Sequence, residues 1–264
     1  MQTMIKVVNL ASGSDGNLTY IESDQTKILV DAGLSCSEIV KRLALLNVSP
    51  EQIDGIVVTH EHMDHIKGVD VFCSKYNKPV YAHRDVFINL DEKLTKVERE
   101  NRKLFENEFM IKDLKVIPFP IPHDVPCFGF SFENNDKKIS ILTDLGHTND
   151  RILNCIQRSQ IVYLESNYDK KMLSKNEKYP LILKRRIAGP NGHLSNDDAA
   201  ELIKFLVLTG TRQIVLSHLS KDNNTPALAF ETAAQHLLEY GIIEGVHVKI
   251  DVASTKPGVM FKLS

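Results

Sequence analysis

Four side chains that can bind a metal ion lie within six consecutive residues of this 264-residue chain. The segment is HEHMDH at residues 60–65, and it follows an apolar run at residues 53–59 that predicts a buried strand. Side chains alternate along a strand, so we expect His60 and His62 to point to one side, with Asp64 and His65 beyond the bend. This spacing suits two adjacent metal ions, and imidazole with carboxylate accepts zinc, manganese or iron.

Further candidate residues stand directly after other strand-like apolar runs, where a rigid scaffold could present them. They are Asp31, His123, Asp144 and His218. Each of these residues taken alone is more typical of a turn or a cap. Their shared position at strand ends, together with the dense motif, predicts that they belong to the same metal site.

The bulk composition indicates an ordinary globular protein. Hydrophobic residues make up 42% and charged residues 25%, so the chain can bury a core, and the formal net charge of −2 argues against a chain that coats nucleic acid through bulk charge. The four cysteines are widely separated and predict reduced thiols in a cytoplasmic protein. No apolar run approaches membrane-spanning length and no secretion signal is apparent, so we expect no membrane partner.

Strand-like and helix-like runs occur in both halves of the chain, without a repeat or a long linker. We predict one domain over residues 1–264, built from two mixed β-sheets flanked by helices. A doubly wound parallel sheet is the alternative, but several hairpin-like runs lack an intervening helix. Two late helices are predicted to begin after Ser195 and Thr225 and to end near Gly210 and Gly241.

The motif and the later ligands resemble those of the metallo-β-lactamase-fold hydrolases, and the resemblance covers essentially the whole chain. It implies a four-layered αββα sandwich with two divalent metal ions at the strand ends. One ion would bind His60, His62 and His123. The other would bind the remaining ligands of the resemblance, which are Asp64, His65 and His218, with Asp144 as the bridge and Asp31 orienting a ligand histidine.

Such a pair of ions can share a hydroxide, lower the pKa of the bound water and neutralise charge on the attacked and leaving oxygens. An aspartate bridge suits phosphodiester or thioester hydrolysis. The β-lactam-cleaving branch of the family usually has a cysteine at the position of Asp144 and a secretion signal, and this chain has neither.

Three segments resemble the nucleic-acid-processing members of the superfamily. The turn at residues 12–17 contains two glycines whose backbone could cradle an anion, and it supplies Ser14 and Asn17 as candidate substrate contacts. The segments around Glu165 and His193 resemble motifs of the β-CASP nucleases. Carried over by position, His193 would contact the scissile phosphate or protonate the leaving oxygen, and Glu165 would orient it.

The large β-CASP insertion cannot fit in the short stretch between Glu165 and His193. That stretch is basic and ends in Lys184, Arg185 and Arg186, which we predict to contact a phosphate backbone. The compact arrangement resembles the YycJ/WalJ group, which is linked to 5′-to-3′ exonuclease activity on DNA.

We therefore predict a cytoplasmic metal-dependent nuclease with Asp64, His193 and Glu165 in catalytic roles, acting on DNA as a 5′-to-3′ exonuclease. The alternatives are a small-molecule phosphodiesterase, an RNA-processing nuclease or a thioester hydrolase. A non-catalytic binding module and an iron redox protein are further alternatives. The identity of the metal, the strand polarity and the oligomeric state stay open at this stage.

Overall fold

The computed structural model describes residues 3–264. Within them, the chain alternates short strands and helices. The strands are β1 (Ile5–Ala11), β2 (Leu18–Ser23), β3 (Lys27–Val30), β4 (Gly55–Val57), β5 (Val80–His83), β6 (Arg102–Phe105), β7 (Phe109–Ile111), β8 (Leu114–Ile121), β9 (Cys127–Asn134), β10 (Lys137–Leu142), β11 (Ile161–Glu165), β12 (Gln213–Ser217), β13 (Lys249–Val252) and β14 (Phe261–Leu263). The helices are α1 (Cys36–Leu45), α2 (Met63–Ile66), α3 (Val69–Tyr76), α4 (Arg84–Leu90), α5 (Asp150–Ile156), α6 (Lys170–Lys175), α7 (Leu181–Ile187), α8 (Asn196–Leu208) and α9 (Pro226–Glu239).

The strands form two mixed sheets of seven strands. The first has the order β14-β1-β2-β3-β4-β5-β6, and the second has the order β13-β12-β11-β10-β9-β8-β7. In the first sheet β1, β2 and β3 are antiparallel neighbours, while β3 to β6 run parallel. In the second, β10 to β13 run parallel. The mixed sheets confirm the predicted fold class, and the doubly wound alternative is wrong.

The chain divides into two compact units. Unit 1 contains the residues up to Pro118, Phe132–Lys137 and Thr255–Ser264, and unit 2 contains Phe119–Ser131 and Lys138–Ser254. The prediction of a single domain stays a prediction. Unit 2 has a continuous apolar core in which residues of β10, β11 and β12 pack with α8 and α9, and Leu164, Ile203 and Leu216 within it are fully buried.

The predicted helix-capping residues are present in unit 2. Ser195 precedes α8, and its hydroxyl accepts a hydrogen bond from the backbone N–H of Asp198 at 3.2 Å. Thr225 caps α9 in the same way, and Pro226 occupies the first helical position. Gly210 has a φ of 113° and Gly241 a φ of 70°, which glycine adopts without the strain that a Cβ would cause.

No helix within residues 3–264 is long and apolar enough to cross a membrane.

Candidate active site

The dense motif lies in unit 1, between β4 and the short helix α2. The strand ends at Val57, two residues earlier than the apolar run predicts. His62 is the residue before α2, and both Asp64 and His65 lie in its single turn. The ring centroids of His60 and His62 are 4.7 Å apart, and those of His60 and His65 are 4.1 Å apart. The bend therefore gathers the three imidazoles, and His65, which the spacing places beyond the bend, lies as close to His60 as His62 does.

Asp31 and Thr59 hold two of these imidazoles. The Oδ2 atom of Asp31 lies 2.7 Å from Nδ1 of His65, and its Oδ1 accepts the backbone N–H of Thr59 at 2.9 Å. The Thr59 hydroxyl donates its one proton to Oδ2 of Asp31 at 2.9 Å, so it accepts a hydrogen bond from Nδ1 of His60, also at 2.9 Å. Asp31 thus has the orienting contact that the sequence predicts, whereas Thr59 was not predicted.

The turn at residues 12–17 supports the motif directly. The backbone N–H of Asn17 donates to the carbonyl of Asp64 at 2.7 Å, and its side-chain amide donates to Nε2 of His65 at 3.0 Å. Gly33 approaches the same carbonyl so closely that a Cβ there would lie 1.7 Å from it. Asn17 is buried by these contacts, while Ser14 is exposed at the tip of the turn. Their predicted contact with substrate stays a prediction.

In unit 2 the predicted residues again stand at strand ends. His123 follows β8, Asp144 follows β10, Glu165 is the last residue of β11, and His218 follows β12 directly. Asp144 and His218 have φ values of 63° and 55°, and Asp31 in unit 1 has a φ of 58°. This left-handed conformation reverses the chain just after β3, β10 and β12, and Asp and His adopt it more readily than most residues with a Cβ.

Glu165 is the centre of a hydrogen-bond network in unit 2. Its Oε1 accepts from Nδ1 of His218 at 2.7 Å, from Nδ1 of His193 at 2.9 Å and from the backbone N–H of Asp144 at 3.1 Å. Its Oε2 accepts the backbone N–H groups of Leu145 at 3.1 Å and Leu194 at 3.0 Å. Five donors therefore converge on one fully buried carboxylate.

These donors keep Glu165 ionised. Burial alone raises the pKa of its carboxyl, but the charge and hydrogen bond of His193 and the hydrogen bond of His218 outweigh burial and lower the pKa to about 2. One ligand atom from each of Asp144, Glu165, His193 and His218 lies within 4.8 Å of the others. Because the oxygens of Glu165 already accept five hydrogen bonds, we assign Glu165 to the support of the imidazoles rather than to metal ligation.

The pKa of the His193 imidazole is raised, whereas that of the Glu165 carboxyl is lowered. Burial lowers the pKa of its imidazole, but the charge and hydrogen bond of Glu165 and the charge of Asp144 outweigh this and raise the pKa. Since the ionised Glu165 can only accept, Nδ1 of His193 carries a proton, and a raised pKa favours a second proton on Nε2. The sequence predicted the pairing of Glu165 with His193, but it did not predict that Glu165 also holds His218.

His123 completes the set of oriented imidazoles. Its Nδ1 donates to the carbonyl of Gly192 at 3.3 Å, and its Nε2 lies 3.2 Å from Oδ1 of Asp124. Burial lowers the pKa of His123 and favours the neutral ring. The carbonyl of Gly192 can only accept and favours the proton on Nδ1, whereas the carboxylate of Asp124, also an acceptor, faces Nε2.

The same tautomer follows for the other supported imidazoles. Four of the five predicted histidine ligands place Nδ1 against an acceptor, and they are His60, His65, His123 and His218. A proton on Nδ1 leaves the lone pair on Nε2, the arrangement found where a second partner orients a metal-binding histidine, and in His65 that Nε2 accepts a hydrogen bond from the Asn17 amide. The donor chemistry of both units therefore fits divalent metal ions.

The three basic residues that were predicted to contact phosphate have different surroundings in the structure. Arg186 forms an ion pair with Asp124, beside His123, and Lys184 donates to the carbonyl of Ser174 at 2.7 Å. Arg185 is exposed on α7. The Asp124 pairing was missed because nothing in the sequence links residues 62 positions apart.

Comparisons with known proteins agree with this chemistry. Residues 26–219 match the model of the Beta-lactamase superfamily domain. The chain is 37% identical over 260 residues to an exodeoxyribonuclease YycJ of Bacillus anthracis, covering 96% of each protein. It is also 37% identical to an exodeoxyribonuclease WalJ of Streptococcus pneumoniae, covering 94% of this chain and 93% of that protein.

Among solved structures, the metallo-β-lactamase fold protein YhfI of Bacillus subtilis aligns with a TM-score of 0.74 at 16% identity, over 99% of this chain and 100% of YhfI. At that identity the likeness shows the fold alone. It agrees with the two mixed sheets and the helices that flank them.

Proposed function

The chain belongs to the metallo-β-lactamase superfamily and, within it, to the YycJ/WalJ family, and from this we propose that it is a metal-dependent exodeoxyribonuclease. The observation that carries the proposal is the set of imidazoles oriented through Nδ1, in a chain 37% identical to named exodeoxyribonucleases over nearly its whole length. We propose 5′-to-3′ polarity, as the family resemblance implies.

We propose that two divalent ions bind the seven ligands implied by that resemblance. They are His60, His62, Asp64, His65, His123, Asp144 and His218. Support comes from the carboxylates of Asp31 and Glu165, each of which holds Nδ1 of one ligand histidine at 2.7 Å. Histidine and aspartate together accept zinc, manganese or iron, and all three are candidates.

When bound, the ions would supply Lewis acidity and a water of lowered pKa. The chain's own residues then have distinct tasks. Asp64 orients the attacking water toward phosphorus. His193, whose Nδ1 is held by Glu165 and whose pKa is raised, donates a proton from Nε2 to the leaving oxygen. Asp144 would be a ligand shared by both ions, as the resemblance implies.

DNA is the proposed substrate because the named relatives are exodeoxyribonucleases. The basic residues of the stretch before His193 support this, since Arg185 is exposed and can contact a phosphate. Arg186 and Lys184 would exchange their present partners for phosphates when DNA binds. We also propose a cytoplasmic location, which is supported by the absence of a disulfide among the four cysteines in the described part of the chain.

The test is a digestion of end-labelled oligonucleotides by the metal-loaded protein and by Asp64→Ala. Single- and double-stranded DNA and RNA are compared, with and without a 5′ phosphate. We expect progressive release of nucleotides from the 5′ end of DNA, and no release by the Asp64→Ala variant, which keeps the fold as judged by circular dichroism. Cleavage of bis-aryl phosphodiesters with polynucleotides untouched would contradict the nuclease proposal. Full activity of Asp64→Ala would contradict the metal-based mechanism.

A further inference from the structure

The helix α7 exposes two large apolar side chains beside the candidate site. Ile182 is 80% exposed, the highest value among the large exposed apolar residues of positions 3–264, and its neighbour Leu181 is 62% exposed. A single exposed aliphatic residue is ordinary on a protein surface. Leu181 and Ile182 are adjacent and begin a helix in which no residue is buried. Packing within the chain therefore does not account for two large apolar side chains here. We call Leu181 and Ile182 the α7 tip.

The C-terminal end of α7 is hydrogen-bonded to His193. The carbonyl of Ile187, the last residue of α7, accepts the backbone N–H of His193 at 2.9 Å. Gly192 packs so closely on this turn that a Cβ would lie 2.1 Å from the same carbonyl. Five residues separate Ile182 from Ile187, which is about 7.5 Å along a helix axis. That distance corresponds to about two base steps of 3.4 Å.

Three exposed cations lie on α7 and on the preceding helix α6, and the two helices are linked by the hydrogen bond from Lys184 to the carbonyl of Ser174. Ile182 and Arg185 are three positions apart and lie on one face of α7, and Arg185 is exposed. Lys171 and Lys175 are exposed on α6 and line an open groove of about 640 Å³, whose lining also includes Glu177 and Asp222. None of these three cations forms an ion pair with another side chain of residues 3–264. We call Lys171, Lys175 and Arg185 the cationic flank.

Other basic residues of the same stretch are already paired. Lys170 lies 3.4 Å from Asp198, and Lys178 lies 2.9 Å from Asp222. Their charges are therefore partly neutralised within the protein. Lys171, Lys175 and Arg185 can meet an external anion without breaking an ion pair, whereas Arg186 must first leave Asp124.

We propose that the α7 tip packs against the face of a DNA base about two nucleotides from the scissile phosphate, while the cationic flank contacts the backbone of the same strand. The inference rests on the proposed nuclease function and adds to it a contact to a base. A surface that combines aliphatic side chains with unpaired cations matches a DNA strand, which presents apolar base faces beside phosphates. Inserted aliphatic residues are known to unstack bases in other DNA complexes.

The test uses 5′-phosphorylated oligonucleotides that carry a single 2-aminopurine at one of the first four nucleotides from either end. Fluorescence is measured on binding to the full-length protein, with the metal chelated so that the DNA stays intact. We expect an increase in fluorescence at one or two adjacent positions, because the α7 tip unstacks the base. Ile182→Ser should abolish that increase and weaken binding about tenfold, as expected for the loss of one base contact.

Two controls accompany this variant. Ile182→Met keeps an apolar side chain of similar volume and should restore the signal. Leu208→Ser removes an exposed aliphatic side chain elsewhere in unit 2, 74% exposed on α8, and should leave binding and fluorescence as in wild type. Both serine substitutions are at exposed positions, and thermal unfolding checks that each variant is folded.

The cationic flank is tested by the salt dependence of binding. Replacing Lys171, Lys175 and Arg185 by Gln should reduce the slope of log affinity against log salt by about 2 to 3, since each phosphate contact contributes close to one. Lys249→Gln, an exposed lysine on β13, should leave the slope unchanged.

The outcomes separate this inference from the function on which it rests. If wild type degrades DNA while Ile182→Ser binds it and alters 2-aminopurine exactly as wild type does, the contact at the α7 tip is wrong and the nuclease proposal stands. If wild type neither binds nor degrades DNA, the nuclease proposal itself fails.

Discussion

Glu165 and His218 are joined by a hydrogen bond of 2.7 Å between Oε1 and Nδ1. The same oxygen lies 2.9 Å from Nδ1 of His193. One buried carboxylate therefore orients both a proposed metal ligand and the proposed proton donor. In unit 1, Asp31 has the equivalent relationship with His65, also at 2.7 Å. Each unit thus contains a carboxylate that fixes the tautomer of a proposed ligand histidine.

Glu165→Gln should weaken metal binding 10- to 100-fold and lower hydrolysis correspondingly. The amide has nearly the same shape, but its NH₂ group cannot accept the hydrogen bonds that one carboxylate oxygen accepts now. Metal affinity is measured by competition with a chelator of known affinity. Glu201→Gln, at an exposed position of α8, is the matched control and should bind metal like wild type. Equal affinity in Glu165→Gln would show that the network does not orient the ligand.

The stability of the metal-free protein should depend on Glu165 at acidic pH. A carboxyl whose pKa is about 2 in the folded protein, against 4.5 ordinarily, stabilises the fold fully above pH 4.5. That contribution, of about 3 kcal/mol at most, is lost as the pH falls from 4.5 toward 2. Urea unfolding of wild type and Glu165→Gln should therefore give a difference in the free energy of unfolding that shrinks as the pH falls below 4.5. A difference that grows on acidification would have the wrong sign.

Asp31→Asn should lower metal affinity 10- to 100-fold while the backbone is retained. Asparagine tolerates the φ of 58° at this position, so the substitution removes the charge without adding backbone strain. Metal content after dialysis and the melting temperature of the metal-free protein are the two measurements. Asp136→Asn, an exposed turn residue of unit 1, is the control. A variant with full metal content would contradict the role of Asp31.

Gly33→Ala should disrupt the metal motif. The added Cβ would lie 1.7 Å from the carbonyl oxygen of Asp64, so the backbone that carries Asp64 must shift. We expect a loss of several kcal/mol in the free energy of unfolding, or a loss of most of the hydrolytic activity, because overpacking of a tight contact costs at least 1–3 kcal/mol.

Gly258→Ala is the matched control for Gly33→Ala. Its Cβ would meet the carbonyl oxygen of Asn9 at 3.6 Å, an ordinary contact, so stability and activity should stay close to wild type. Urea unfolding and hydrolysis are measured for both variants. Equal behaviour of the two would mean that the close approach at Gly33 does not position the motif.

The local pattern of the sequence predicted most of the scaffold. The caps of α8 and α9 are at Ser195 and Thr225, because a capping hydroxyl acts on an N–H three residues away and is visible in a short window. The strand before the motif was predicted two residues too long at its C-terminal end. Val58 and Thr59 are β-branched like strand residues, but they already belong to the bend that leads into α2. Apolar patterning indicates burial more reliably than it indicates where a strand ends.

By itself, the sequence determined the kind of chemistry, because ligand type and spacing within residues 60–65 are local properties and the motif specifies the family. Only the tertiary structure decided which groups orient those ligands. Glu165 meets His218 across 53 positions of the chain and Asp31 meets His65 across 34, and no periodicity or composition encodes such pairs. The tertiary fold brings these residues together, and the resulting hydrogen bonds place the ring proton of His65 and of His218 on Nδ1.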